Sequence, residues 1–251
     1  MTHATPCLLA LALLAPGASV RTVDDKVFSG DLVRFDPGPS AVIRSDGREM
    51  KLACGDLVAI ELRPLARGPR GGMPTIALRN GDVLVARVVG GSGASLVASS
   101  PLYGEARWPL EAIASIALVP GRRGQGSRAG ELDRLALRNG EVVEGTVEEI
   151  GAGGVKFRSK LLGELHVGFE RLAAIEFATT GRGPKRPDGL VATVCGVDGS
   201  RLSGTLEPAG EGKVVLRSTF GPKLQMDLAR VARVEFSGGR LVYLSDLEPS
   251  E

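Results

Sequence analysis

The stretch Leu135-Ala136-Leu137-Arg138-Asn139-Gly140-Glu141-Val142-Val143-Glu144-Gly145-Thr146-Val147 decides the fold. Leu135-Ala136-Leu137 alternates apolar side chains at the period of a strand. Asn139-Gly140 supplies the positive φ values of a tight hairpin. A longer strand follows from Val142 to Ile150. Gly145 interrupts it and marks a sharp bend or bulge, because a glycine inside a strand permits both. Beyond it, Gly151 to Gly154 turn the chain, Val155 to Phe157 alternate again, Leu162-Gly163 turn once more and Leu165 to Val167 form a fourth strand. Phe169 to Leu172 suit a single 3₁₀ turn, and Ala173 to Phe177 close the unit with a fifth strand.

This unit recurs. Asn80-Gly81, Asn139-Gly140 and Asp198-Gly199 are spaced 59 residues apart, and the surroundings keep step. Leu96, Val155 and Val214 align, as do Ser100, Ser159 and Ser218, and Ile116, Ile175 and Val234. Val83, Val142 and Leu202 open the second strand, the last displaced by one residue. A more degenerate copy containing Val27, Gly30, Leu32 and Ile60 stands 115 residues before the third. Gly30 and Gly204 take the place of Gly145, where the second copy has Ala86. Fixed periods of this kind are the mark of repeat architectures. With 35 Gly but only seven Phe, two Tyr and one Trp, the composition also fits several small, turn-rich modules better than one large core.

Five short strands, a bent second strand and a short turn before the last describe an all-β chain of four tandem five-stranded SH3-like or Sm-like small barrels. The pattern resembles the Sm-like family in particular: an apolar strand, a D/N-G turn, then an apolar strand with Gly at its bend, over about forty residues per copy. The polar loop residues by which Sm proteins grip RNA bases are missing. The resemblance therefore implies a fold without its function. The expected organisation is a signal peptide over 1–18, modules over 19–62, 74–118, 133–177 and 190–236, linkers over 63–73, 119–132 and 178–189, and a C-terminal strand and linker over 237–251.

The export signal rests on Cys7 to Leu14, an unbroken apolar run followed by small residues from Ala15 to Ser19. It has the length of a signal h-region and is too short to span a bilayer. Removing it leaves Cys54 and Cys195 in different modules, expected as buried free thiols.

After the fourth copy, Val242-Tyr-Leu-Ser-Asp-Leu-Glu-Pro249 resembles the junction in exported planctomycete-type bacterial proteins, where similar N-G-containing β repeats precede a novel carbohydrate-binding module. The repeats are similar to those proteins too. In them the carbohydrate module begins where this sequence stops, at Glu251, so no sugar-binding residue is carried over. The expectation is a truncated piece of such a protein or its repeat region standing alone.

Little in the sequence points to catalysis. His166 is the sole histidine after the signal, and its counterparts Arg107 and Gln225 share no chemistry with it. A general base needs a positioned partner, and none is legible. No metal-ligand spacing, nucleophile elbow or phosphate-cradling loop is present, and no cofactor is expected. Nucleic-acid binding is the alternative function, through the linkers. Their Gly/Pro-rich stretches 63–73, 120–130 and 178–187 carry nine basic residues and no acidic ones; without those nine the net charge of +2 becomes −7. Modules of that sign repel a phosphate backbone. The expected role is an exported, non-catalytic interaction or spacer scaffold whose partner is a protein or a carbohydrate, with no membrane span. Tyr103 and Trp108 are the one local aromatic pair and the candidate ligand contact. The competing assignment for Trp108 is the core slot that Val167 and Met226 fill in later copies. Gly30, Asn80, Gly81, Asn139, Gly140, Gly145, Asp198, Gly199 and Gly204 are read as turn and bend residues.

Overall fold

A computed structural model describes residues 17–65, 72–92, 94–119, 132–178 and 189–240. The signal run, the terminal V-Y-L-S-D-L-E-P motif and the central parts of all three linkers lie outside them. Within them the chain is all-β. The first module holds β1 (Ala18–Thr22), β2 (Val27–Asp36), β3 (Ser40–Ser45), β4 (Arg48–Ala53) and β5 (Leu57–Glu61). The second holds β6 (Thr75–Leu78), β7 (Val83–Val85), β8 (Arg87–Ser92), β9 (Ser95–Ser100), β10 (Gly104–Pro109) and β11 (Ile113–Ala117). The third holds β12 (Asp133–Leu137), β13 (Val142–Ile150), β14 (Gly154–Ser159), β15 (Gly163–Gly168) and β16 (Leu172–Glu176). The fourth holds β17 (Val191–Gly196), β18 (Arg201–Glu207), β19 (Lys213–Ser218), β20 (Lys223–Asp227) and β21 (Val231–Ser237).

The hairpin between the first two strands is built the same way each time. Gly81, Gly140 and Gly199 have φ of 88°, 94° and 96°, and each donates its N–H to the carbonyl three residues back, on Leu78, Leu137 and Gly196. The preceding Asn80, Asn139 and Asp198 accept the N–H of the residue two ahead through their side chains. Only the glycine takes positive φ, so this is a three-residue loop and not the two-residue turn that Asn-Gly predicts. In the first module Asp25 fills the glycine place at φ 58°, a conformation aspartate tolerates. The recurring Ser100, Ser159 and Ser218 are buried, and each hydroxyl accepts the N–H two residues ahead, closing the hairpin that follows the third strand.

Gly145, Gly30 and Gly204 are absent from the positive-φ residues, so the reason for glycine at the bend is space. A Cβ on Gly145 would overlap the Arg158 carbonyl and the Phe157 ring; on Gly30 it would lie 2.7 Å from the Arg44 carbonyl. Ala86 carries that extra carbon, and at Ala86 the second strand is broken into β7 and β8. The register also resolves the apparent displacement of Leu202. Leu202 pairs with Val194 as Val143 pairs with Leu135 and Leu84 with Ile76, so the inward residues are Leu84, Val143 and Leu202. Val83, Val142 and Arg201 occupy the outward position before them.

The SH3-like or Sm-like barrel is not formed. Each module orders its strands fourth, third, second, first, fifth, and among the described residues the fourth and fifth strands never pair. The result is one 18-stranded sheet with a separate three-stranded sheet of β8, β9 and β10, neither of them closed. Closure fails because the outer edge of each fifth strand is occupied by another module. β11 pairs with β16, centred on Ile116 and Ile175, and β5 pairs with β21, centred on Ile60 and Val234. Each central pair joins equivalent residues of two repeats, so each contact is a local two-fold. Pairing in this way covers the fifth-strand edges, which closure would otherwise have to do, while β4, β10, β15 and β20 each pair on one side among the described residues.

A second contact joins modules two and four, where Val83 of β7 faces Arg201 of β18. These two are also repeat equivalents. The modules are thus linked in the order three, two, four, one by two alternating kinds of pseudo-two-fold contact. The buried apolar residues of all four form one cluster. A string of independent beads, which Gly/Pro-rich linkers imply, is not what the chain forms. Arg63, read from the sequence as linker, donates to the carbonyls of Leu228 and Val231 at 3.0 and 3.1 Å and ties module one to module four.

Candidate interaction site

The densest buried polar group among the described residues lies where modules two and four meet. It is assembled by the hairpins Asn80-Gly81-Asp82 and Asp198-Gly199-Ser200. Asp82 is 2% exposed, and three donors converge on its carboxylate: the Ser203 N–H at 2.8 Å, the Ser203 hydroxyl at 2.7 Å and the Asn80 amide at 2.9 Å. The equivalent of Asp82 in module four is Ser200, 1% exposed, whose hydroxyl accepts the Val85 N–H at 3.0 Å and donates to Asp198 at 3.0 Å. Val85 is in turn the equivalent of Ser203. One geometry is therefore used twice across the local axis: the side chain after the turn glycine caps a backbone N–H of the facing second strand.

Burial pushes the Asp82 carboxyl above its ordinary value of 3.8, and the bonds from Ser203 and Asn80 only partly offset this. A buried carboxylate is tolerated when it is hydrogen-bonded, and here both oxygens accept, Oδ2 from the Ser203 N–H and the Asn80 amide and Oδ1 from the Ser203 hydroxyl. The hydroxyl of Ser203 also lies 3.1 Å from that of Thr193. With two of its three donors supplied by Ser203 of module four, Asp82 acts as a clamp between modules.

The hairpin tip of module two completes the contact. Leu102 is 3% exposed and packs toward Gly196, while Arg230 donates to the Pro101 carbonyl at 2.7 Å. Tyr103 and Trp108 follow directly. Their rings meet edge to face with centroids 6.2 Å apart, and they are 8% and 0% exposed. Trp108 stands across from Leu96, as Val167 stands across from Val155 and Met226 from Val214. It fills the shared core slot and offers no face to a ligand. The Tyr103 hydroxyl and the Trp108 indole N–H are buried without a hydrogen bond of good geometry, and burial pushes the Tyr103 phenol well above its usual range.

The remaining sequence candidates lie apart from this contact or serve its turns. Asn80, Gly81, Asp198 and Gly199 shape the two facing hairpins. Asn139 and Gly140 shape the same hairpin in module three, where it faces solvent. Gly30, Gly145 and Gly204 sit at the bends. His166 pairs with Lys156 in the register of β14 and β15. Cys54 and Cys195 are buried free thiols whose pKa values burial raises to about 12 and about 11. Among the described residues no group of three or more His, Cys, Asp and Glu is placed to hold a metal ion, and no helix is long and apolar enough to cross a membrane. A cleft of about 320 Å³ lies between modules one and four, lined by Ser19, Glu61, Arg63, Leu65 and Arg233. Its Arg233 is already paired with Glu61 at 3.5 Å and Glu235 at 3.2 Å.

Asp82, Ser200, Ser203 and Arg230 escaped the sequence reading. The position after the turn glycine is Lys26, Asp82, Glu141 and Ser200 in the four copies, and nothing in those identities separates a buried clamp from a solvated loop. No known family model and no curated protein matches this chain.

Proposed function

We propose that this protein is an exported, non-catalytic spacer or interaction scaffold. The observation that supports this reading most is the way the modules are joined. Two kinds of strand contact alternate along the chain, and the most buried polar side chains, Asp82 and Ser200, are spent on holding modules together. Export follows from the apolar run at Cys7 to Leu14. The resemblance of the repeats and of the Val242–Pro249 motif to exported planctomycete-type proteins adds a role as the spacer of a carbohydrate-binding module.

The test is N-terminal sequencing of the protein from its native host, with fractionation. The expected mature chain begins within residues 18–20 and leaves the cytoplasm. An intact Met1 in a cytoplasmic fraction, together with salt-sensitive RNA binding lost on replacing Arg122, Arg123 and Arg128, would replace the scaffold with the nucleic-acid reading.

A further inference from the structure

The second-strand contact is used once, between modules two and four, yet the first hairpin and second strand that make it recur in all four modules. In modules one and three that surface faces solvent. Val27 and Val142, the equivalents of Val83 and Arg201, are 62% and 58% exposed. Leu161 and Leu162, the equivalents of the buried Leu102 and Tyr103, are 94% and 61% exposed. These four account for all but two of the six exposed large hydrophobics among the described residues. Since the modules are linked three, two, four, one, the two free surfaces stand at opposite ends of the molecule.

We propose that the end formed by module three docks on the module-one end of a second copy, repeating the contact between modules two and four and assembling the protein head to tail. The repeat positions define what would meet what. Glu141 takes the place of Asp82 and Ser29 that of Ser203, so the carboxylate again finds a serine N–H and hydroxyl. Val142 meets Val27 on the local axis. Lys26 falls opposite Glu144, which Arg134 already holds at 2.7 Å. At the hairpin tips, Lys160 and Asp56 succeed Pro101 and Arg230, and Asp46 of module one comes opposite Arg171. Asp56 accepts Arg240 at 3.1 Å and keeps an oxygen for Lys160.

Charge selects this pairing over the two symmetric ones. Module three against itself would set Glu141 against Glu144 and Lys160 against Arg171. Module one against itself would set Asp46 against Asp56. Like charges juxtaposed at an interface suppress wrong partners. A contact between two different ends does not close on itself after one addition; it continues into a filament or a ring.

The test is sedimentation velocity on the full chain up to about 1 mM, the weak limit of a specific contact. The expected result is a mass that rises with concentration past the dimer, or settles at a closed ring. Two variants block one end each: Val142→Asp with Lys160→Asp, and Val27→Asp with Ser29→Glu. All four positions are exposed, and matching thermal melts check that folding is intact. Each variant alone should stay monomeric, and a 1:1 mixture should form dimers and stop there. Mixing the single variants Lys160→Asp and Asp56→Lys should restore the tip contact between them by charge exchange. A wild type monomeric throughout, a module-one variant that still dimerises alone, or a mixture that stays monomeric overturns the proposal.

Discussion

Replacing Gly145 tests the reason for the bend in the second strand. Its backbone does not need positive φ, so the cost of a side chain there comes from overlap alone. A Cβ would fall about an ångström inside ordinary contact of roughly 3.5 Å with the Arg158 carbonyl, an atom of the backbone that cannot swing away. β13 and β14 would have to separate beside the Thr146–Arg158 pair. Overpacking of this kind costs about 1–3 kcal/mol, and losing one ladder hydrogen bond adds about 1 kcal/mol. Gly145→Ala should therefore destabilise by about 2–4 kcal/mol, and Gly145→Val by at least as much. Gly140→Ala is the control. There the Cβ meets nothing within 4 Å and only the φ of 94° is strained, a cost of about 1–2 kcal/mol. Ala86→Gly is the converse, expected to lose about 0.5–1 kcal/mol of backbone entropy and about 0.8 kcal/mol for its buried methyl. Urea denaturation with matched m-values measures all of these. A Gly145→Ala cost no larger than that of Gly140→Ala would refute the close-approach argument.

Asp82→Ala should weaken the contact between modules two and four by about 1–3 kcal/mol, because it strips the Ser203 N–H of its acceptor. The pH dependence has a definite sign. Asp82 is raised in the folded state, so its contribution is fully present below the unfolded value of 3.8 and is lost as pH rises through the folded value. Wild type should accordingly gain stability relative to Asp82→Asn on acidification through that window, and a difference independent of pH would count against a buried, clamped carboxylate. Trp108, the chain's single tryptophan, is fully buried in module two. Its fluorescence should lose structure in the same urea transition as far-ultraviolet circular dichroism, since the core is continuous; two separated transitions would restore the picture of independent modules. Trp108→Ala should cost about 3–5 kcal/mol. Cys54 and Cys195 should resist a thiol reagent at neutral pH until the protein unfolds, because burial disfavours both thiolates; labelling at the rate of a free thiol would contradict that placement.

Local chemistry was legible in the sequence where the cause was local. The hairpins at Gly81, Gly140 and Gly199 could be placed from Asn-Gly and Asp-Gly because an αL glycine and an Asx side chain settle a turn within four residues. The recurring Ser100, Ser159 and Ser218 were visible as a pattern, but their cause is a hydroxyl bonded two residues ahead. The bend at Gly145 could be placed too, yet its cause could not, since the atom that excludes a side chain belongs to Arg158 on another strand. For Trp108 the sequence left two assignments open, a ligand contact and the core slot shared with Val167 and Met226, and its burial decides for the core; Tyr103 is buried beside the hairpin tip whose Leu102 packs toward module four.

By itself the sequence determined an all-β chain with a 59-residue period, since strand alternation and turn glycines act over a few residues and repeat wherever the residues do. Only the tertiary structure decided which edges those strands share. A fifth strand such as Ile113–Ala117 has the same apolar pattern whether it pairs with its own fourth strand and closes a barrel or with the fifth strand of another module. The hydrogen bonds are backbone groups common to both outcomes, so nothing in side-chain identity at that strand distinguishes them. The difference comes from contacts over a hundred residues apart, such as Asp82 with Ser203, separated by 121 positions, whose value exists only once both modules are folded and facing.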